Sequence, residues 1–208
     1  FYLCRMTRKI WLAGQVVYIV CATAIYTVAI LLSTILICGQ RCYVGNIWSE
    51  TAVKLAFTTA GKKLSLAASE KTLELTRPYA CMTTIFFLLF AYALVMVLLI
   101  FWFRILWNEL AGMIAGVVFN GISFIFSPGI LQKLLGISER KSYLANVAAG
   151  WICPLSHATY HLHNFGYDRL PSLRDSGIYD MVLVIMLILL NLYSIRTYHF
   201  VFDGTGER

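Results

Sequence analysis

Charge is what this chain has least of. Asp, Glu, Lys and Arg make up 13% of its 208 residues, against about a quarter in a soluble domain. None lies from Trp11 to Gly39, nor between Pro78 and Arg104. Several catalytic signatures are missing as well. There is no phosphate-cradling GxxxxGK, so the chain itself binds no nucleotide by a P-loop. No Gly-x-Ser-x-Gly surrounds Ser123 or Ser156, and no HExxH occurs. The six cysteines form no CxxC and no paired zinc spacing, and Cys21 reads as an apolar filler. Cys38 and Cys42 are close enough in sequence for a disulfide near one membrane surface. No repeat or low-complexity tract is present.

What the chain has instead is apolar length. It is 60% hydrophobic, with a mean hydropathy of +0.74. Four runs stand out, at Trp11–Ile37, Tyr79–Phe103, Leu110–Phe126 and Ile178–Ile195. Each reaches or approaches the ~18–20 residues with which a helix crosses ~30 Å of hydrocarbon. The expected fold is an all-α integral membrane protein of one domain, with about four transmembrane helices and an outer re-entrant or interfacial hairpin. The spans are placed at 10–38, 79–103, 110–127 and 178–196, after a head at 1–9, with connections at 39–78 and 128–177.

The net charge of +7 does not point to nucleic acid, because the basic residues flank the apolar runs. Most of the 17 Lys and Arg residues lie in the two long connections. Density near the span ends says more about orientation. Arg5, Arg8 and Lys9 crowd before the first span, and Arg104 and Arg196 sit at span ends. Head, turn and tail are therefore expected inside, with the long connections outside.

Neither connection resembles a flexible linker. Thr51–Leu75 has few breakers and is expected to form an amphipathic surface helix. Asn146–Tyr160 is apolar and aromatic but too short to span. Pro154 would split it into two half-helices, since it donates no backbone hydrogen bond and restricts Cys153 before it. Beyond it comes His157-x3-His161-x-His163. On a continuous helix His157 and His161 would share a face at i, i+4 and could hold a metal, with Asp168 the one nearby general base. The competing expectation is that these histidines hydrogen-bond the ends of the broken half-helices.

In the head, Arg5, Arg8 and Lys9 fall at i, i+3, i+4, which gathers three cations on one helical face beside Tyr2. They fit either a membrane anchor, with Trp11 at headgroup level, or a docking helix for a soluble partner. Within the spans, Gln15, Asn120 and Asn191 are the polar groups expected to face a bundle interior or path. Gly112 and Gly116 have GxxxG spacing, with Gly121 beyond, which favours close helix contact.

Together these features resemble the permease subunit of a type-2 class ATP-binding-cassette transporter of Gram-positive bacteria. The topology carries the resemblance, with Trp151-Ile-Cys-Pro-Leu-Ser-His157 before the last span, Arg8-Lys-x-Trp-x-x-Gly-Gln15 and Gly45-Asn-x-Trp-Ser49. It covers almost the whole chain. It implies that the four runs are the third to sixth spans of six and that the chain is part of something longer. It further implies an exporter without enzymatic activity of its own, forming the path for an amphipathic, peptide or lipid-like cargo in the bacterial plasma membrane. Two cytosolic ATPase subunits carrying ATP and Mg, and a second permease subunit, would complete it. Arg5, Arg8, Lys9 and Tyr2 would contact the ATPase, and Trp151, Pro154, His157 and His161 would form the outer gate. Two departures are the absent first two spans and the long basic connection at 39–78. The rival expectation is an intramembrane metal-dependent enzyme built on His157, His161 and His163.

Overall fold

An uncharged chain can sit in hydrocarbon only if each backbone polar group finds its partner within the protein, and a helix meets that demand locally. The computed structural model describes residues 7–39, 45–58, 70–166 and 168–198. Among these, every regular element is a helix. Helix α1 runs Arg8–Cys38, with Thr7 as N-cap, and stops at Gly39, whose φ of 46° suits a residue without Cβ. Two short helices follow, α2 at Glu50–Phe57 and α3 at Glu70–Leu75. The single surface helix expected over Thr51–Leu75 is not continuous, since α2 ends at Phe57 with Thr58 extended, and residues 59–69 lie outside the described residues.

Helix α4 spans Pro78–Leu106, with Pro78 at the first helical position where its missing N–H costs nothing. A tight turn leads to α5, Glu109–Ile125, capped by Asn108 Oδ1, which accepts from the Ala111 N–H at 2.8 Å. Arg104 and Glu109 pair across this turn at 2.5 Å. Both are exposed, so the pair fixes the turn more than it stabilises the fold. Then come α6 at Pro128–Leu134, α7 at Ser142–Ile152, α8 at Pro154–Ala158 and α9 at Leu173–Ser194.

Three helices, α1, α4 and α9, are each long and apolar enough to cross a membrane. The fourth expected span is different. Helix α5 has 17 residues, about 25 Å at ~1.5 Å per residue, and Pro128 redirects the chain into α6 at a bend of 74°. Only as a bent pair do the two qualify.

Helix α4 is the hub, packing against α9, α5 and α1. Leu94, Val95 and Leu98 of α4 meet Ile19 of α1 and Leu187 of α9 in the main core. At the end where α1 begins, Leu12, Ile105 and Ile195 form a second cluster. Between apolar helices in lipid, close packing replaces the hydrophobic drive, and small residues permit it. A Cβ on Gly112 would sit 2.7 Å from the Ile100 carbonyl oxygen, and one on Gly116 3.0 Å from Ile100 Cδ1. Gly121 has open space around it and takes no part in this contact.

The bundle leaves much apolar surface bare. Only 17% of the most apolar stretch of α1 is buried, and Tyr18, Ile25, Val117 and Phe124 are all more than half exposed. Such faces need lipid or another subunit against them.

Candidate functional site: a histidine-locked broken hairpin

Pro154 sets the geometry. Cys153 before it takes an extended conformation (φ −79°, ψ 119°), so α7 stops at Ile152 and α8 starts afresh at Pro154. The freed N–H of Leu155 donates to Ser123 Oγ of α5 at 3.2 Å, and Cys153 Sγ faces the Phe126 carbonyl at 3.4 Å. Ser123 thus serves the end of a half-helix. Helix α8 is wedged among the ends of α4, α5 and α9, with α7 at its back.

Ser172 heads α9 with a reciprocal capping box: its Oγ accepts from the Asp175 N–H, and the Asp175 carboxylate accepts from the Ser172 N–H at 3.0 Å. This cap starts α9 at Leu173, ahead of the apolar run, and so carries Ser176 and Asp180 into the helix one turn apart. Ser176 is fully buried. Its Oγ lies 2.8 Å from His157 Nδ1 and 2.8 Å from His163 Nε2. The opposite ring nitrogens face carbonyls. His157 Nε2 is 3.2 Å from the Trp151 oxygen, and His163 Nδ1 is 3.0 and 3.1 Å from those of Thr159 and Tyr160. His157 also stacks on Tyr179, ring centroids 4.1 Å apart. One serine on the last long helix therefore clamps both α8 and the segment that follows it.

Counting protons defines the chemistry. A carbonyl only accepts, so His157 carries its proton on Nε2 and His163 on Nδ1. The remaining two ring nitrogens both face Ser176, which has a single hydroxyl proton to give. Complete hydrogen bonding thus takes one proton beyond the neutral set. Burial opposes it. Desolvation holds His157, His161 and His163 below their ordinary value of 6.5, outweighing the pull of Asp175 on His157. Lys71, which donates to the His163 carbonyl at 3.1 Å, pushes His163 further down.

A pH dependence follows from the sign of these shifts. A histidine whose folded value lies below its unfolded one binds more protons when unfolded, so stability is full above about pH 6.5 and falls as pH drops through the folded values. In Asp180→Asn, which takes the buried carboxyl of α9 out of the titration, the unfolding midpoint in detergent is expected to fall steadily from pH 7 to pH 5. A flat or rising profile over that interval would contradict the buried neutral cluster.

The expected site residues separate into three groups. Trp151, Pro154 and His157 come together in the hairpin, Trp151 donating its indole N–H to the Arg169 carbonyl at 3.1 Å. His161 does not share a helical face with His157, because α8 ends at Ala158 and Tyr160–Leu162 is a separate 3₁₀ turn. His161 lies half-buried beside Trp48 and Tyr160. Asp168 is paired with Lys71. Among the described residues no three His, Cys, Asp or Glu side chains gather around a possible metal position.

At the other end, Tyr2 and Arg5 lie outside the described residues, as does Cys42. Helix α1 is described from Arg8 onward, so the three-cation face expected with Arg5 lies outside the described residues. Arg8 donates to the Arg196 carbonyl just beyond α9, which ties the two helix ends together. Lys9 is exposed. Both cations occupy the first turn of α1, where the helix dipole disfavours them by a few tenths of a kcal/mol.

Of the polar span residues, Gln15 is half-buried. Asn120 accepts from the Tyr92 hydroxyl at 2.6 Å and donates to the Gly116 carbonyl at 3.2 Å. Asn191 is fully buried and donates to the carbonyls of Leu187 and, across helices, Leu98. Sequence reasoning passed over Ser176 and Asp180. The signals for them were the Ser172-x-x-Asp175 cap and an acidic residue inside an apolar run. Comparison of the chain with protein-family models, curated proteins and solved structures gives no match.

Proposed function

We propose that this chain is the permease subunit of an ATP-driven exporter of the ATP-binding-cassette class, embedded in a cell membrane and without catalysis of its own. The observation that carries the reading is the broken hairpin. Helix α8 is wedged among the ends of α4, α5 and α9 and held by side-chain bonds to Ser123 and Ser176. An element so placed has two arrangements open to it, wedged and withdrawn, and a tilt of the long helices would shift it between them. The exposed apolar faces of α1 and α5 offer contact area to a second permease subunit. ATP and Mg belong to a cytosolic partner, which would push at the opposite end, where Lys9 and the Arg104–Glu109 turn are exposed.

Lys9 makes the cleaner test of coupling, because Arg8 also braces α9. In the complex purified with its ATPase, Lys9→Glu is expected to lower ATP turnover severalfold while the chain still folds and elutes as before. Unchanged turnover, or purification with no ATPase at all, would count against the reading.

A further inference from the structure

A cavity of about 440 Å³ opens between α4 and α9, at the hairpin end of the bundle. That volume lies within the range of about 300–1,000 Å³ found for small-molecule sites. Its walls are almost wholly apolar, with Phe87, Phe90 and Leu94 on α4 and Met181 and Val184 on α9. Phe87 and Met181 are each more than 60% exposed, so the groove opens sideways, to where lipid chains would lie. Gly177 floors it, and a Cβ there would meet nothing within 4 Å.

Two polar side chains line this groove, and the Thr84 hydroxyl is already given to the Ala80 carbonyl at 2.8 Å. Asp180 is only 4% exposed, and its Oδ2 has no hydrogen-bond partner. No Lys, Arg or His among the described residues pairs with it. The Tyr92 hydroxyl on the same part of α4 is committed to Asn120. An acid inside a membrane span is expensive and normally faces a path or a partner charge. Here it faces a groove whose remaining surface suits an alkyl chain. Asp180 also lies about 10 Å along α9 from Leu173 at ~1.5 Å per residue. A headgroup at that depth would sit near the membrane boundary, with its tail running inward past Leu94 and Val184.

We propose that the α4–α9 groove binds a single-chain cationic amphiphile, its ammonium N–H donating to Asp180 Oδ2 and its alkyl chain lying against Phe87, Phe90 and Val184. The acceptor requires a donor, so a protonated primary amine fits and an alcohol of equal length lacks the charge. This site is independent of any ATPase partner, and failure of one proposal leaves the other standing.

The test is equilibrium binding of radiolabelled dodecylamine and dodecanol to the full chain in maltoside micelles. The amine is expected to bind at least tenfold more tightly than the alcohol, since a charged hydrogen bond contributes about 1.5–3 kcal/mol. Asp180→Asn should remove that preference, and Gly177→Leu, which grows into open space, should abolish binding of both. Equal binding of amine and alcohol by the native chain overturns the proposal, even if Asp180→Asn fails to fold. So does amine binding that persists unchanged in either folded variant.

Discussion

Replacing His157 by alanine is expected to cost about 3 kcal/mol of stability, enough to lower the midpoint of SDS-induced unfolding in mixed micelles markedly. The Trp151 carbonyl loses a partner, Ser176 loses one of two, and a void opens beside Tyr179. An orphaned buried polar group costs about 1–3 kcal/mol, and the cavity adds to it. Ser176→Ala should cost a similar amount, since both imidazoles then face nothing at 2.8 Å. His161→Ala is the control, because His161 stands outside the clamp and should cost less than half as much. Equal losses at His157 and His161 would mean that the hairpin is held by packing and not by the shared serine.

The second large effect is expected at Gly112. Its would-be Cβ lies 2.7 Å from a main-chain oxygen of Ile100, which cannot turn aside, so Gly112→Leu must drive α5 off α4. Overpacking that moves backbone costs about 3 kcal/mol, and it would also break the Tyr92–Asn120 bond between the same helices. Gly116→Ala should be milder, because the atom in its way is the flexible end of the Ile100 side chain. At Gly121 the space is open, so Gly121→Leu should be neutral or slightly stabilising through helix propensity, worth up to ~1 kcal/mol. Similar losses at all three glycines, read by the same SDS titration, would remove the case for a close α4–α5 contact.

The long apolar helices and the break at Pro154 were legible because each follows from local chemistry. An uncharged run must form helix in lipid, and proline ends one whatever surrounds it. The extent of α5 was only partly legible. The apolar run ending at Phe126 gives no warning that Pro128 turns the chain by 74°. The site itself depends on long-range pairing. His157 meets His163 only through Ser176, which stands 19 residues beyond the first and 13 beyond the second. No helical period links such positions. The face expected for His157 and His161 failed because α8 is five residues long and gives way to a 3₁₀ turn before His161. The start of α9 at Leu173 was within reach of sequence, through the Ser172–Asp175 cap, and with it the burial of Ser176 and Asp180.

The proposed function requires one orientation, with the α1 start and the Arg104–Glu109 turn on the cytosolic side and the hairpin on the outer side. Single cysteines at Glu139, exposed beside the hairpin, and at Trp107, 70% exposed in the turn, report on the two faces. They would be placed in a variant whose six native cysteines are replaced. With a membrane-impermeant maleimide on intact cells, Glu139→Cys is predicted to label at once and Trp107→Cys only after permeabilisation. Labelling of Trp107→Cys from outside, with Glu139→Cys protected, would turn the molecule over and leave no cytosolic end for an ATPase to push.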